Sequence, residues 1–86
     1  MRLLVYVRNY LSKHPCIDCG ESDIRVLEFD HEGKIPKLMA ISSLIKARVS
    51  IDMIQEEIDK CQIRCANCHR RKTAIQFNWF KNQMYP

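Results

Sequence analysis

The chain has 86 residues, with 47% apolar and 28% charged side chains, five cysteines, two glycines and three prolines. This length is one domain whose core is marginal by itself, and the balance is that of a globular chain rather than a disordered one. No apolar run approaches a membrane span, and the stretch to Leu11 carries Arg2, Arg8 and Asn9 without a cleavage signal; the formal charge of +4 is uneven, since residues 1–59 hold eight Lys/Arg and all ten Asp/Glu while residues 60–86 hold six Lys/Arg and no acid.

Leu3, Leu4, Val7, Tyr10 and Leu11 fall on one stripe at helical spacing and predict an amphipathic helix over residues 2–13. Pro15 ends it, because the residue before a proline avoids the helical region. Residues 16–20 read as a tight turn, with Gly20 suited to its close. Residues 24–30 alternate, with Ile24, Val26 or Leu27 and Phe29 apolar, and predict a short strand. Residues 31–37 hold Gly33 and Pro36 and read as loop, and residues 38–47 suggest a short helix. Ser50 is the expected N-cap of a helix over 51–60, with Asp52 and Glu56 early, Lys60 late, and Val49 stapled to Ile54. Residues 61–65 alternate as a second strand. From Ala66 a final helix is expected to about Asn82, carrying Ile75, Trp79 and Phe80 for packing; Trp79, Phe80 and Tyr85 are expected against the N-terminal helix rather than as interface anchors.

Cys16-x-x-Cys19 and Cys65-x-x-Cys68 are separated by 45 residues. Paired C-x-x-C turns supply four thiolates to a tetrahedral ion, so a structural zinc is expected on these residues. The odd cysteine count without an export signal agrees, since it points to reduced thiols in a cytosolic setting. The long separation means that the clip joins elements distant in sequence. Metal-binding free energy then becomes folding free energy, which a small core needs. Cys61 reads as a small buried apolar residue rather than an alternative ligand, and His14 as a structural or surface residue.

The clip would also bring the end of the first strand, Asp30-His31, close to the start of the last helix, where His69 follows Cys68. Neighbours on a strand point to opposite faces or diverge at its end, so only one of Asp30 and His31 shares an ion with His69. Asp30 with His69 makes a carboxylate-imidazole pair suited to a divalent cation with open positions. His31, beside that ion but not on it, is free to take a proton from water. Spacing alone equally admits His69 as an onlooker or as a replacement zinc ligand.

The order C-x-x-C, then Leu27-Glu28-Phe29-Asp30-His31, then Cys65-Ala66-Asn67-Cys68-His69-Arg70-Arg71-Lys72-Thr73 resembles the HNH endonuclease family. More narrowly it resembles the zinc-clipped branch common in bacteria, phages and large viruses, from the N-terminal helix through His14-Pro15-Cys16 to about residue 75. The resemblance implies an α+β fold in a single domain over 1–86: a packing helix over 1–15, a zinc-stapled ββα-metal core over 16–76 with additional helices inserted between the two strands, and a helix end and tail over 77–86. It implies metal-dependent hydrolysis of DNA phosphodiesters to 5′-phosphate and 3′-hydroxyl ends. His31 is then the general base that activates water. Asp30 and His69 bind a catalytic divalent ion, Mg2+ first with Mn2+ or Ni2+ as alternatives, which stabilises the phosphorane and the leaving 3′ oxygen. Cys16, Cys19, Cys65 and Cys68 hold the structural Zn2+. Arg70, Arg71 and Lys72, with Lys34 and more weakly Lys37, are expected on DNA phosphates.

One departure stands out. The place of the family's middle asparagine is taken by Asp59 or Lys60, and the only asparagine between His31 and His69 is Asn67, inside the second knuckle. Asn67 is expected to bond backbone at the start of the last helix, and a backbone carbonyl to orient His31. The implied setting is cytoplasmic, or host-cytoplasmic for a phage or viral chain. The protein is expected to work away from membranes as a monomer or weak dimer of low intrinsic sequence specificity, which a partner protein or a dimer could raise. Two other readings remain open on the residues alone: a non-catalytic zinc module that binds nucleic acid through the basic C-terminal helix, and a zinc domain that binds protein.

Overall fold

The structure, a computed structural model, describes residues 2–33 and 37–78. Helix α1 spans Leu3–Ser12. A single 3-10 turn, Ile24–Val26, leads into strand β1, Leu27–His31. Helices α2, Ile41–Lys46, and α3, Ile51–Ile58, then precede strand β2, Cys61–Cys65, and helix α4, Ala66–Gln76. The fold class is therefore α+β: a two-stranded antiparallel sheet with two helices inserted between its strands. No helix among the described residues is long and apolar enough to cross a membrane.

The register pairs Leu27 with Cys65, Phe29 with Ile63, Asp30 with Gln62 and His31 with Cys61. Directly opposed residues share a face, and alternation along each strand divides the sheet. Leu27, Phe29 and His31 lie with Cys61, Ile63 and Cys65, while Glu28 and Asp30 lie with Gln62 and Arg64. On the first face the core gathers Leu27 and Ile63 with Val7 and Leu11 of α1, Ile41 and Leu44 of α2, and Ile54 and Ile58 of α3. Tyr10 stacks on Phe29 at a centroid distance of 6.1 Å, which fixes α1 to that face. Helix α4 sends His69 and Lys72 toward the Asp30 face. Cys16, Cys65 and Cys68 are buried in continuity with the apolar core.

The expected helices are present, with shifted ends. Ser50 caps α3, its hydroxyl accepting the Met53 N–H at 3.1 Å. Residues 38–40 are not helical; Leu38 instead donates its N–H to Glu57 Oε2 at 3.1 Å. Ile24 and Val26 do not extend the strand. Asp23 accepts the Arg25 N–H at 3.0 Å and folds this segment into a turn, and the partner strand ends at Cys65 opposite Leu27, so no ladder remains for residues 24–26. Helix α4 stops at Gln76 rather than near Asn82, and Asn78 adopts φ 55, a left-handed conformation that asparagine tolerates after a helix. Ile75, expected in the packing, is 78% exposed: it lies seven positions after buried Cys68, on the same side of α4, and lines an open hollow with Asp18, Cys19 and Arg64. Trp79, Phe80 and Tyr85 lie outside the described residues, as does Lys34.

Candidate functional site

The four cysteines of the two knuckles converge: the ligand atoms of Cys16, Cys19, Cys65 and Cys68 all lie within 4.8 Å of one another. Cys19 Sγ and Cys65 Sγ are 3.7 Å apart. A tetrahedron with zinc–sulfur bonds of about 2.3 Å has edges of roughly 3.8 Å, so the cluster fits a zinc ion. Among the described residues it is the only group of three or more His, Cys, Asp or Glu side chains with that closeness.

Local backbone builds each half. Cys16 N–H donates to Glu21 O at 2.9 Å and Gly20 N–H to Cys16 O at 2.9 Å, which curls the first knuckle; Gly20 closes it at φ 80. Ile17 N–H donates to Ile63 O at 2.9 Å and docks that knuckle on β2. In the second half Cys65 is the N-cap of α4, its sulfur accepting the Cys68 N–H at 3.4 Å. Burial opposes ionisation of Cys16, but N–H groups of Cys65, Cys19 and Asp18 outweigh it and bring the thiol down to about 6. Cys68 goes the other way, to about 12, through burial and the neighbouring sulfurs. Four crowded sulfurs ionise together only around a cation, which is the chemistry expected of a zinc site.

Cys61 stands apart. It lies opposite His31 in the register, and its Sγ donates to Glu57 O at 3.4 Å. Burial, then Glu57 and Asp30, push its thiol up to about 11, so it is a protonated, half-buried side chain outside the cluster.

On the α4 face of the sheet the structure brings Asp30 and His69 together, with Asp30 Oδ1 3.5 Å from His69 Nε2. Glu28, two positions before Asp30 and on the same face, takes the Nδ1–H of His69 at 2.7 Å. In the tautomer that gives its Nδ1–H to Glu28, the Nε2 of His69 and Asp30 Oδ1 face each other as two acceptors, a donor pair suited to a divalent cation. The other oxygen of Asp30 is engaged: Oδ2 accepts from Lys72 Nζ at 2.7 Å and from Arg64 Nη1 at 2.8 Å. Burial pushes the Asp30 carboxyl up, but Lys72, His69 in its protonated form, and Arg64 outweigh it and hold it below its ordinary value. Arg64 also donates through Nε to Asp18 Oδ2 at 2.8 Å, so one guanidinium links the first zinc knuckle to Asp30.

His31 is on the opposite side of β1. Its Nε2 lies 2.8 Å from Glu57 Oε2 on α3. Glu57 Oε1 accepts from Lys60 Nζ at 2.9 Å, and Lys60 O accepts the Glu32 N–H at 2.8 Å just after the strand. The expected backbone partner for His31 is thus replaced by a carboxylate. The Asn67 side chain is exposed and, among the described residues, makes none of the expected bonds to backbone; it shares a shallow hollow with Glu28, His69 and Arg70. Arg70 and Arg71 are exposed on α4, whereas Lys72 is half-buried on Asp30.

Glu57, Arg64 and Glu28 had no place among the residues expected from sequence, and Lys60 had one only as a candidate occupant of the middle-asparagine place. Glu28 alone carried a usable signal, its spacing of two from Asp30 on an alternating strand. No family model matches the chain, and no curated protein or solved structure matches it.

Proposed function

We propose that this chain is a metal-dependent endonuclease that hydrolyses phosphodiester bonds in DNA. The observation that carries this reading is the Asp30–His69 pair, 3.5 Å apart across β1 and α4, on the strand that ends in His31 and beside a four-cysteine cluster. A divalent cation held by Asp30 Oδ1 and His69 Nε2 would supply positive charge against the oxygens of the scissile phosphate. Glu28 keeps the His69 ring turned so that Nε2 stays available. His31 is the general base that takes a proton from the attacking water. Arg70 and Arg71, exposed on the helix that carries His69, hold neighbouring phosphates and position the duplex without reading its sequence.

A second reading has specific support. Asp30 Oδ2 is shared by two cations, and His31 faces α3 rather than His69. Both features suit a zinc module that binds nucleic acid through the basic helix and cuts nothing. Supercoiled plasmid incubated with zinc-loaded protein separates the two. The endonuclease reading expects nicked circles with added Mg2+, Mn2+ or Ni2+ and none without a divalent ion. Retarded but uncut plasmid under every metal would favour the binding module.

A further inference from the structure

Among the described residues two charged side chains are buried, Asp30 at 7% exposure and Glu57 at 1%. Asp30 belongs to the proposed metal pair; Glu57 has no role in it. A carboxylate removed from water is costly unless every lone-pair direction is used, and here three donors converge on it. His31 Nε2 at 2.8 Å and the Leu38 N–H at 3.1 Å meet Oε2, and Lys60 Nζ at 2.9 Å meets Oε1. Lys60 and the Leu38 amide fix the plane of the carboxylate from either end. An ionised carboxylate only accepts, so neutral His31 must carry its proton on Nε2 and keep its lone pair on Nδ1. The ring retains 15% of its surface exposed, so water can reach it.

The geometry points to Glu57 as the positioning residue that sets the tautomer and orientation of His31, with Lys60 and the Leu38 amide holding Glu57 in place. This rests on the endonuclease reading for its consequence, because the free Nδ1 is then the nitrogen that takes the proton from water. The carboxylate also stabilises the imidazolium formed in that step. A merely structural Glu57, tying residue 38 to α3, would affect stability and leave kcat of the folded chain unchanged.

Histidine-selective 15N NMR on the zinc-loaded wild-type chain reads the tautomer directly. The expected result is the Nε2–H tautomer for the neutral His31 ring; the Nδ1–H tautomer would overturn the proposal without any variant. Plasmid nicking with Mg2+ or Mn2+ reads the consequence. Glu57→Gln, folded and with its zinc retained, should lower kcat about 10- to 100-fold with KM for plasmid unchanged. Lys60→Met should lower kcat in the same direction by a smaller factor. Unchanged kcat in Glu57→Gln, or a change confined to KM, overturns the positioning role alone. A wild-type chain that never nicks overturns the endonuclease reading and the positioning role with it.

Discussion

Cys65 serves three structures at once: it closes β2, caps α4 and contributes a sulfur to the cluster. Serine is a good helix cap, so Cys65→Ser keeps the cap and removes only the metal ligand. A structural zinc supplies on the order of 10 kcal/mol, comparable to the whole stability of a domain this size. The variant should therefore lose zinc and show no cooperative melt, whereas Cys61→Ser should retain both; a folded, zinc-free Cys65→Ser would refute the clip. Glu57 gives a prediction in pH. Burial raises its carboxyl, but Lys60, His31 and the Leu38 N–H outweigh it and hold it below its ordinary value of 4.5. A depressed folded-state value means that the stabilisation is fully present above 4.5 and is lost as pH falls through the folded-state value. Urea unfolding should find Glu57→Gln less stable than wild type at pH 7, with the gap closing below pH 4.5. A gap independent of pH would show that the carboxylate charge is not the source.

Elements differ in how they are stabilised, and α3 is the most self-sufficient. Ser50 caps its first turn, Asp52 sits near the positive end of its dipole, and Ile54 and Ile58 are fully buried. Ser50→Ala should cost about 1 kcal/mol in denaturant unfolding. Arg48, after α2, holds φ 56 where glycine is the usual residue. Arg48→Gly should leave the fold intact and stabilise it by up to about 1 kcal/mol, and a loss of stability would mean that the arginine side chain holds the α2–α3 corner. These local signals explain what could be read from the chain. The stripe of α1, the cap of α3, the alternation of β2 and the two knuckles are each contained in a few neighbouring residues. The first strand was legible only from Leu27, because Ile24 and Val26 alternate correctly but have no partner opposite them. The site was legible to the same degree. Asp30 and His69 follow from the knuckles that bring them together. Glu57 and Arg64 do not, since a glutamate on an amphipathic helix and an arginine on an alternating strand both look solvent-facing. Their inward contacts are with His31 and Asp30, 26 and 34 positions away.

At the scale of the molecule, the cysteine cluster joins the two ends of the described chain around one sheet. The first knuckle docks on β2 through Ile17 and Arg64, the second opens α4, and the Asp30–His69 pair sits between the strand and helix so joined. With zinc held by this cluster, folding and site assembly are expected to be one event, so that zinc removal abolishes both together. The basic helix adds an electrostatic consequence. On the proposed reading, DNA binding weakens steeply with salt, and Arg70→Ala and Arg71→Ala each reduce the slope of log K against log[salt] by about 1 if each contacts one phosphate. An unchanged slope in both variants would move the DNA to another face. The most direct measurement compares the conversion of supercoiled plasmid to nicked circles by zinc-loaded wild type and His31→Ala, with Mg2+ or Mn2+ at equal zinc content. Nicking by wild type and none by His31→Ala is the expected result, and equal nicking by the two proteins would contradict the assignment of His31 as the base.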